Sequence, residues 1–110
     1  LCSQAQVANA GIPQDDNILE GSHKHWEDII HVNYTAVVYQ SQIIGKVWQK
    51  SGGPASFIIT ASAAGLANIR PTNQGVYNSS KAAVIVLARS LAQEFKDFAR
   101  VNSVSRKWLQ

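Results

Sequence analysis

From Ala55 to Thr60 the chain runs through a short, continuous apolar stretch, preceded by Ser51-Gly52-Gly53-Pro54 and followed closely by Ser62. A strand with one wet face alternates apolar and polar residues; a continuous run suits a parallel strand covered on both faces. Parallel neighbours cannot be joined by a tight hairpin, so such a strand demands a crossover before it and another after it. The chain supplies both. Trp26, Ile29, Ile30, Asn33, Val37, Ile44 and Trp48 recur at helical spacing and predict a helix from about His25 to Lys50, with Ser22 as its N-cap within a residue or two. Val84, Leu87, Leu91 and Phe95 form the apolar stripe of a second helix, from about Gln74 to Phe98, with Arg89, Gln93, Glu94 and Lys96 on its wet side.

The remaining segments complete the pattern. Gln6 to Gly11 reads as the tail of a strand running into a tight turn, and Ile12 to Gly21, with Pro13, Asp15, Asp16 and Asn17, as a loop. Arg100 to Ser105 reads as a third strand and Arg106 to Gln110 as a tail. The order strand, helix, strand, helix, strand in 110 residues is one α/β domain with a parallel sheet and right-handed crossovers. Ala63 to Gln74 is a long loop at the carboxyl end of the middle strand, the place where open α/β sheets hold ligands.

Composition removes several function classes. The formal charge of +3 is mild, its cations are scattered, and no aromatic-basic stripe points to nucleic acid. The single cysteine, Cys2, excludes an internal disulfide framework and fits a reducing, cytoplasmic setting. His23, His25 and His31 have no second cysteine or spaced carboxylate to complete a ligand set, so no metal is expected. No apolar run is long enough to span a membrane, and no signal-peptide pattern opens the chain. The chain begins at Leu1 and contains no methionine, which reads as a piece of a longer product or a trimmed one. The triplets Asn33-Tyr34-Thr35 and Asn78-Ser79-Ser80 match the glycosylation pattern but fall in predicted helices and read as chance.

Chemistry concentrates in Val76-Tyr77-Asn78-Ser79-Ser80-Lys81-Ala82-Ala83-Val84. Four residues apart on a helix, Tyr77 and Lys81 share one face. A free phenol titrates near ~10, and a fixed cation beside it favours the phenolate, which makes the pair a plausible general acid/base. The same spacing also fits an ordinary surface pair. Upstream, Phe57 to Gly65 reads as a buried strand that delivers Ser62 at its end. Asn33 is a polar residue inside an apolar stripe, either a satisfied core amide or a solvent-facing residue on a bent helix.

Asn9-Ala10-Gly11, Asn33 in mid-helix, Ser62 at a strand end and Tyr77 with Lys81 stand in an order and spacing that resemble the short-chain dehydrogenase/reductase family, from about Val7 to Ser105. Within it, Val-Ala-Asn-Ala-Gly, Ile-Ile-Thr-Ala-Ser and Phe-Ala-Arg-Val-Asn-Ser-Val-Ser look like the fungal sorbose reductase and NADP-dependent mannitol dehydrogenase group. The resemblance implies a three-layer, Rossmann-type, doubly wound parallel sheet of which residues 1–110 are the C-terminal half. It implies NADP (or NAD) as cofactor, a small carbonyl or alcohol substrate such as a ketose or polyol, and a homo-oligomer, dimer or tetramer, in the complete protein. Tyr77 would exchange a proton with the substrate oxygen, and Lys81 would lower its pKa and bind the nicotinamide ribose. Ser62 would hold the substrate oxygen, Asn33 would hold a relay water, and Asn9, Ala10 and Gly11 would shape the floor of the cofactor cleft.

The departures are specific. At the family's commonest spacing from Tyr77 the residue aligned with the serine is Ala64; Ser62 is aligned instead by the strand end and by Gly65 three residues later. The glycine-rich phosphate loop would lie before Leu1, and Arg106-Lys107-Trp108 stands where the family has Pro-Gly and, beyond it, a substrate-covering segment. Exposed sheet edges and a half-covered core are therefore expected. Alternatives to an oxidoreductase are a non-catalytic truncated remnant that acts through protein contacts, and a nucleotide-sugar epimerase relative, which would need a substrate domain.

Overall fold

β2 (Ala55–Ser62) is the middle strand of a parallel sheet, flanked by β1 (Gln4–Ala8) and β3 (Ala99–Arg106) in the order β1-β2-β3. A computed structural model describes residues 4–68 and 73–107; Cys2, the middle of the predicted loop (69–72) and the end of the tail from Trp108 lie outside them. The first crossover contains α1 (His23–Ile30), a π-helical turn (His31–Thr35) and α2 (Ala36–Ser51). The second contains a 3-10 turn (Ala63–Gly65) and α3 (Gly75–Glu94).

Both crossovers step the same way across the sheet, so a right-handed connection places both on one face. The side chains follow: Ala55, Phe57, Ile59 and Ala61 are buried, whereas Ser56, Ile58, Thr60 and Ser62 between them are half-buried. Cover on both faces of β2, as the apolar run predicts, is thus met on one face within the described residues. They supply two of the three layers of a doubly wound arrangement. Val7 (50% exposed, paired with Ile58) and Val104 (53% exposed, paired with Thr60) belong to the open face. β1 and β3 are the edges.

The core lies between β2 and the helices. Ile29, Phe57, Ile59 and Val84 have no exposed surface. Trp48 of α2 meets Phe57 edge-on, with ring centroids 6.3 Å apart, a favourable aromatic geometry.

Helix ends match the sequence at some points and depart at others. Ser22 caps α1, its Oγ accepting from His25 N, and Gly52 ends α2 at φ 78°, a left-handed conformation that costs glycine little. The helix predicted over 25–50 widens midway into the π turn, where the Ala36 amide reaches back to His31 O. The second helix stops at Glu94, not Phe98, because the Phe98 and Ala99 amides both fold back on Phe95 O, at 3.0 and 2.8 Å. That tight turn aims the chain into β3 while Phe95 and Phe98 pack on the core.

Phe57→Ala removes a fully buried ring from the central strand; a loss of about 3–5 kcal/mol of stability is expected in denaturant unfolding. A loss below about 1 kcal/mol would contradict this packing.

Candidate active site

The loop after β1, the π turn, the end of β2 and the first turns of α3 converge at one end of the sheet. The π turn carries Asn33, which is 1% exposed. One wide turn re-aims a side chain without breaking the helix, and such turns recur at functional sites. Asn33 Oδ1 accepts from Ile12 N at 2.8 Å, and its Nδ2 donates to Ile12 O at 3.0 Å and to Ser80 Oγ at 3.1 Å. Of the two readings the sequence leaves open, Asn33 is therefore a satisfied core amide. It clamps the loop after Gly11 on one side and α3 on the other.

Ser80, fully buried, passes the connection on by donating to Tyr77 O at 2.7 Å. One residue later, Lys81 is 5% exposed, and its Nζ donates to Thr60 O at 3.1 Å. The same Nζ lies 5.9 Å from the centre of the Tyr77 ring, so the predicted pair does share one side of α3. Gly11 closes over both partners: a Cβ there would stand 3.2 Å from Lys81 Nζ and 3.4 Å from Asn33 Oδ1. Burial pulls the Lys81 pKa below the ordinary lysine value.

Ser62 ends β2 and caps the following 3-10 turn, its Oγ accepting from Ala64 N at 3.2 Å. Gly65 fixes that turn against α3, since a Cβ there would come within 2.6 Å of Ala82 N and 2.7 Å of Lys81 C. Backbone packed on backbone thus places the strand-end serine beside the helix that bears Tyr77 and Lys81. Asn9 and Ala10 are exposed, and Asn9 Oδ1 accepts from Thr60 Oγ1 at 3.0 Å.

The sequence passed over Ser80, Thr60 and Gln14. Ser80 sits inside the Tyr77–Lys81 interval, and Thr60 is a hydroxyl in an apolar run, so each carried a weak signal. Gln14 is one loop residue among many and carried none, yet it is 3% exposed.

Elsewhere, Asp15, Asp16 and His25 bring ligand atoms within 4.8 Å of one another. Asp16 is already engaged by N–H donors: Oδ1 accepts from Trp26 Nε1 and Gln14 Nε2, both at 3.0 Å, and Oδ2 accepts from Ser22 N at 3.3 Å. The Trp26 indole N–H is the main reason its carboxyl titrates below the usual range. Through these contacts Asp16 anchors the loop to α1 and its cap.

The depressed Lys81 pKa gives a signed prediction. Between that pKa and the ordinary 10.5, the folded chain binds fewer protons than the unfolded one. Stability contributed by this site therefore rises with pH across that window. Lys81→Met removes the dependence. Melting temperatures of the two proteins, compared at increasing pH from neutral upward, are expected to diverge in favour of the lysine form. A pH-independent difference would contradict a buried Lys81 charge.

The family model for short chain dehydrogenase matches residues 5–106. The NADP-dependent mannitol dehydrogenase of Hypocrea jecorina is 42% identical over 101 residues, covering 92% of this chain and 38% of that protein. Sorbose reductase of Schizosaccharomyces pombe is 40% identical over 100 residues, covering 90% and 39% respectively. Among solved structures, 4-hydroxyisoleucine dehydrogenase complexed with NADH superposes with a TM-score of 0.86 at 31% identity, over 93% of this chain and 44% of that one. The chain thus spans about two fifths of the curated relatives, and the resemblance to the sorbose reductase and mannitol dehydrogenase group is met by similarity of about 40% to members of that group. Match and superposition agree over almost all of the described residues: the chain belongs to the short chain dehydrogenase family.

Proposed function

We propose that the protein containing this chain is an NADP(H)- or NAD(H)-dependent oxidoreductase that interconverts a carbonyl and a secondary alcohol on a ketose or polyol, in the cytoplasm. The observation that carries the reading is the buried Lys81 ammonium, held by Thr60 O and lying 5.9 Å from the Tyr77 ring centre at the carboxyl end of the sheet. The substrate class rests on the mannitol dehydrogenase and sorbose reductase relatives.

The residues present fit the nicotinamide-ribose half of such a cofactor. An ammonium has three donors and Lys81 spends one on Thr60 O, which leaves donors for ribose hydroxyls. Gly11, where a side chain would crowd Lys81 Nζ, keeps the floor of that cleft low, and Asn9 and Ala10 border it. When bound, the cofactor supplies or accepts the hydride. Tyr77 Oη gives a proton to the substrate oxygen in reduction and takes it back in oxidation. Ser62 orients that oxygen from the strand end. Asn33 Oδ1 keeps one acceptor position beyond its bond to Ile12 N, enough for a relay water on the Lys81 side.

The complete protein is proposed to be a homo-oligomer. Tyr39, Ile43 and Val47, spaced by one turn along α2, are 59%, 64% and 56% exposed, and Val86 of α3 is 58% exposed. Such a stripe on a helical layer favours a second helical layer. The same stripe would serve the alternative reading, a non-catalytic remnant that works through protein contacts.

In the full-length protein, Tyr77→Phe is expected to lower turnover of ketoses with NADPH or NADH by ~100-fold or more, while tryptophan quenching reports unchanged cofactor binding. Retained turnover sinks the proton-transfer role; absence of cofactor binding by the wild type favours the remnant. Ile43→Glu is expected to shift the protein to a smaller species in sedimentation, and an unchanged mass argues against this interface.

A further inference from the structure

The first turn of a helix has amide groups with no partner inside the helix, and a side chain at the N-cap usually satisfies one of them. α3 lacks that arrangement: its N-cap, Gln74, makes no side-chain capping bond. The acceptor comes from the other end of the sequence. Gln14 Oε1 accepts from Tyr77 N at 3.0 Å, across 63 residues. Its Nε2 donates to Asp16 O and Asp16 Oδ1, both at 3.0 Å, while Gln14 O accepts from Gln74 Nε2 at 3.3 Å.

The amide is held as tightly as it holds. Asp16 is anchored to α1 through the Trp26 indole and to the α1 cap through Ser22 N. Gly21 leaves no spare room beside this anchor, since a Cβ there would come within 2.5 Å of Trp26 Cζ2 and 2.6 Å of Asp16 Oδ2. A single loop therefore ties together the N-terminal ends of α1 and α3. The bond it makes to the first turn of α3 falls on the backbone of Tyr77.

We propose that Gln14 is a positioning residue for Tyr77: a cap supplied from the loop after β1 that fixes the turn of α3 bearing the phenol. It touches neither substrate nor cofactor in this reading. A helix terminus without its cap frays, and a small displacement of a proton-transferring group costs rate more than it costs binding. The claim about rate rests on the oxidoreductase reading; the claim about the cap does not.

The two are separable by experiment. In full-length protein, Gln14→Ala is expected to speed amide hydrogen exchange at Tyr77 by ~10-fold or more, with Leu91 in the middle of the core unchanged. Turnover should fall by ~10-fold or more with the cofactor dissociation constant unaltered. Gln14→Glu supplies the second readout. A neutral carboxyl accepts from the Tyr77 amide and donates its one hydrogen to Asp16, where the native amide donates two; ionised, it faces the Asp16 carboxylate, with Asp15 on the same loop and His25 on α1 nearby. Its turnover is therefore expected to fall with rising pH through an ionisation that the native protein lacks. Unchanged exchange at Tyr77 in Gln14→Ala would overturn the cap. Faster exchange with unchanged turnover would overturn the positioning role. A native protein that shows no turnover overturns the oxidoreductase reading and the rate claim with it, and the exchange measurement still decides the cap.

Discussion

One buried amide joins the parts of this structure that must stay in register. Asn33 binds the backbone of Ile12 through both its oxygen and its nitrogen and reaches Ser80 with the remaining hydrogen, at 1% exposure. Each such bond contributes only about 1 kcal/mol net, but leaving one of these groups unpaired in the interior costs about 1–3 kcal/mol. The π turn, the loop after Gly11 and the first turns of α3 therefore cannot shift independently. The wide turn exists where the amide is needed, and the surrounding helices stay continuous on either side of it.

From that joint the remaining geometry follows by close approach. Gly11 lies over Lys81 and Asn33, and Gly65 presses the strand-end turn onto the backbone of Lys81 and Ala82. The ammonium is driven into an interior where Thr60 O gives it a partner, and desolvation still lowers its pKa. A buried cation with spare donors beside a phenol is costly to maintain in a chain that uses it for nothing, which is the physical case for reading this end of the sheet as a site.

Much of this was legible in the residues. The apolar run of β2, the two helical stripes and the turn signals gave the α/β order, because parallel pairing leaves few ways to connect such strands. Tyr77 and Lys81 share a side of α3 because helical periodicity alone puts them there. Asn33 stood out as a polar residue in an apolar stripe, but its meaning stayed open until its partners, 21 and 47 residues away, were in place. The early stop of α3 was missed because Phe95 fits a helical stripe as well as it fits the tight turn that feeds β3.

Local physics set the elements: side-chain periodicity, capping by Ser22 and Gly52, and the demand of a continuous apolar strand for crossovers are all properties of neighbours in sequence. Contacts across the chain decided the rest. Helices gather on one face because both crossovers share a hand and a direction, which no single segment encodes. Gln14 gains a purpose only when a loop 63 residues distant from Tyr77 is brought against an uncapped helix end. A hydrogen-bond partner is a matter of distance in space, and only the folded chain fixes that distance.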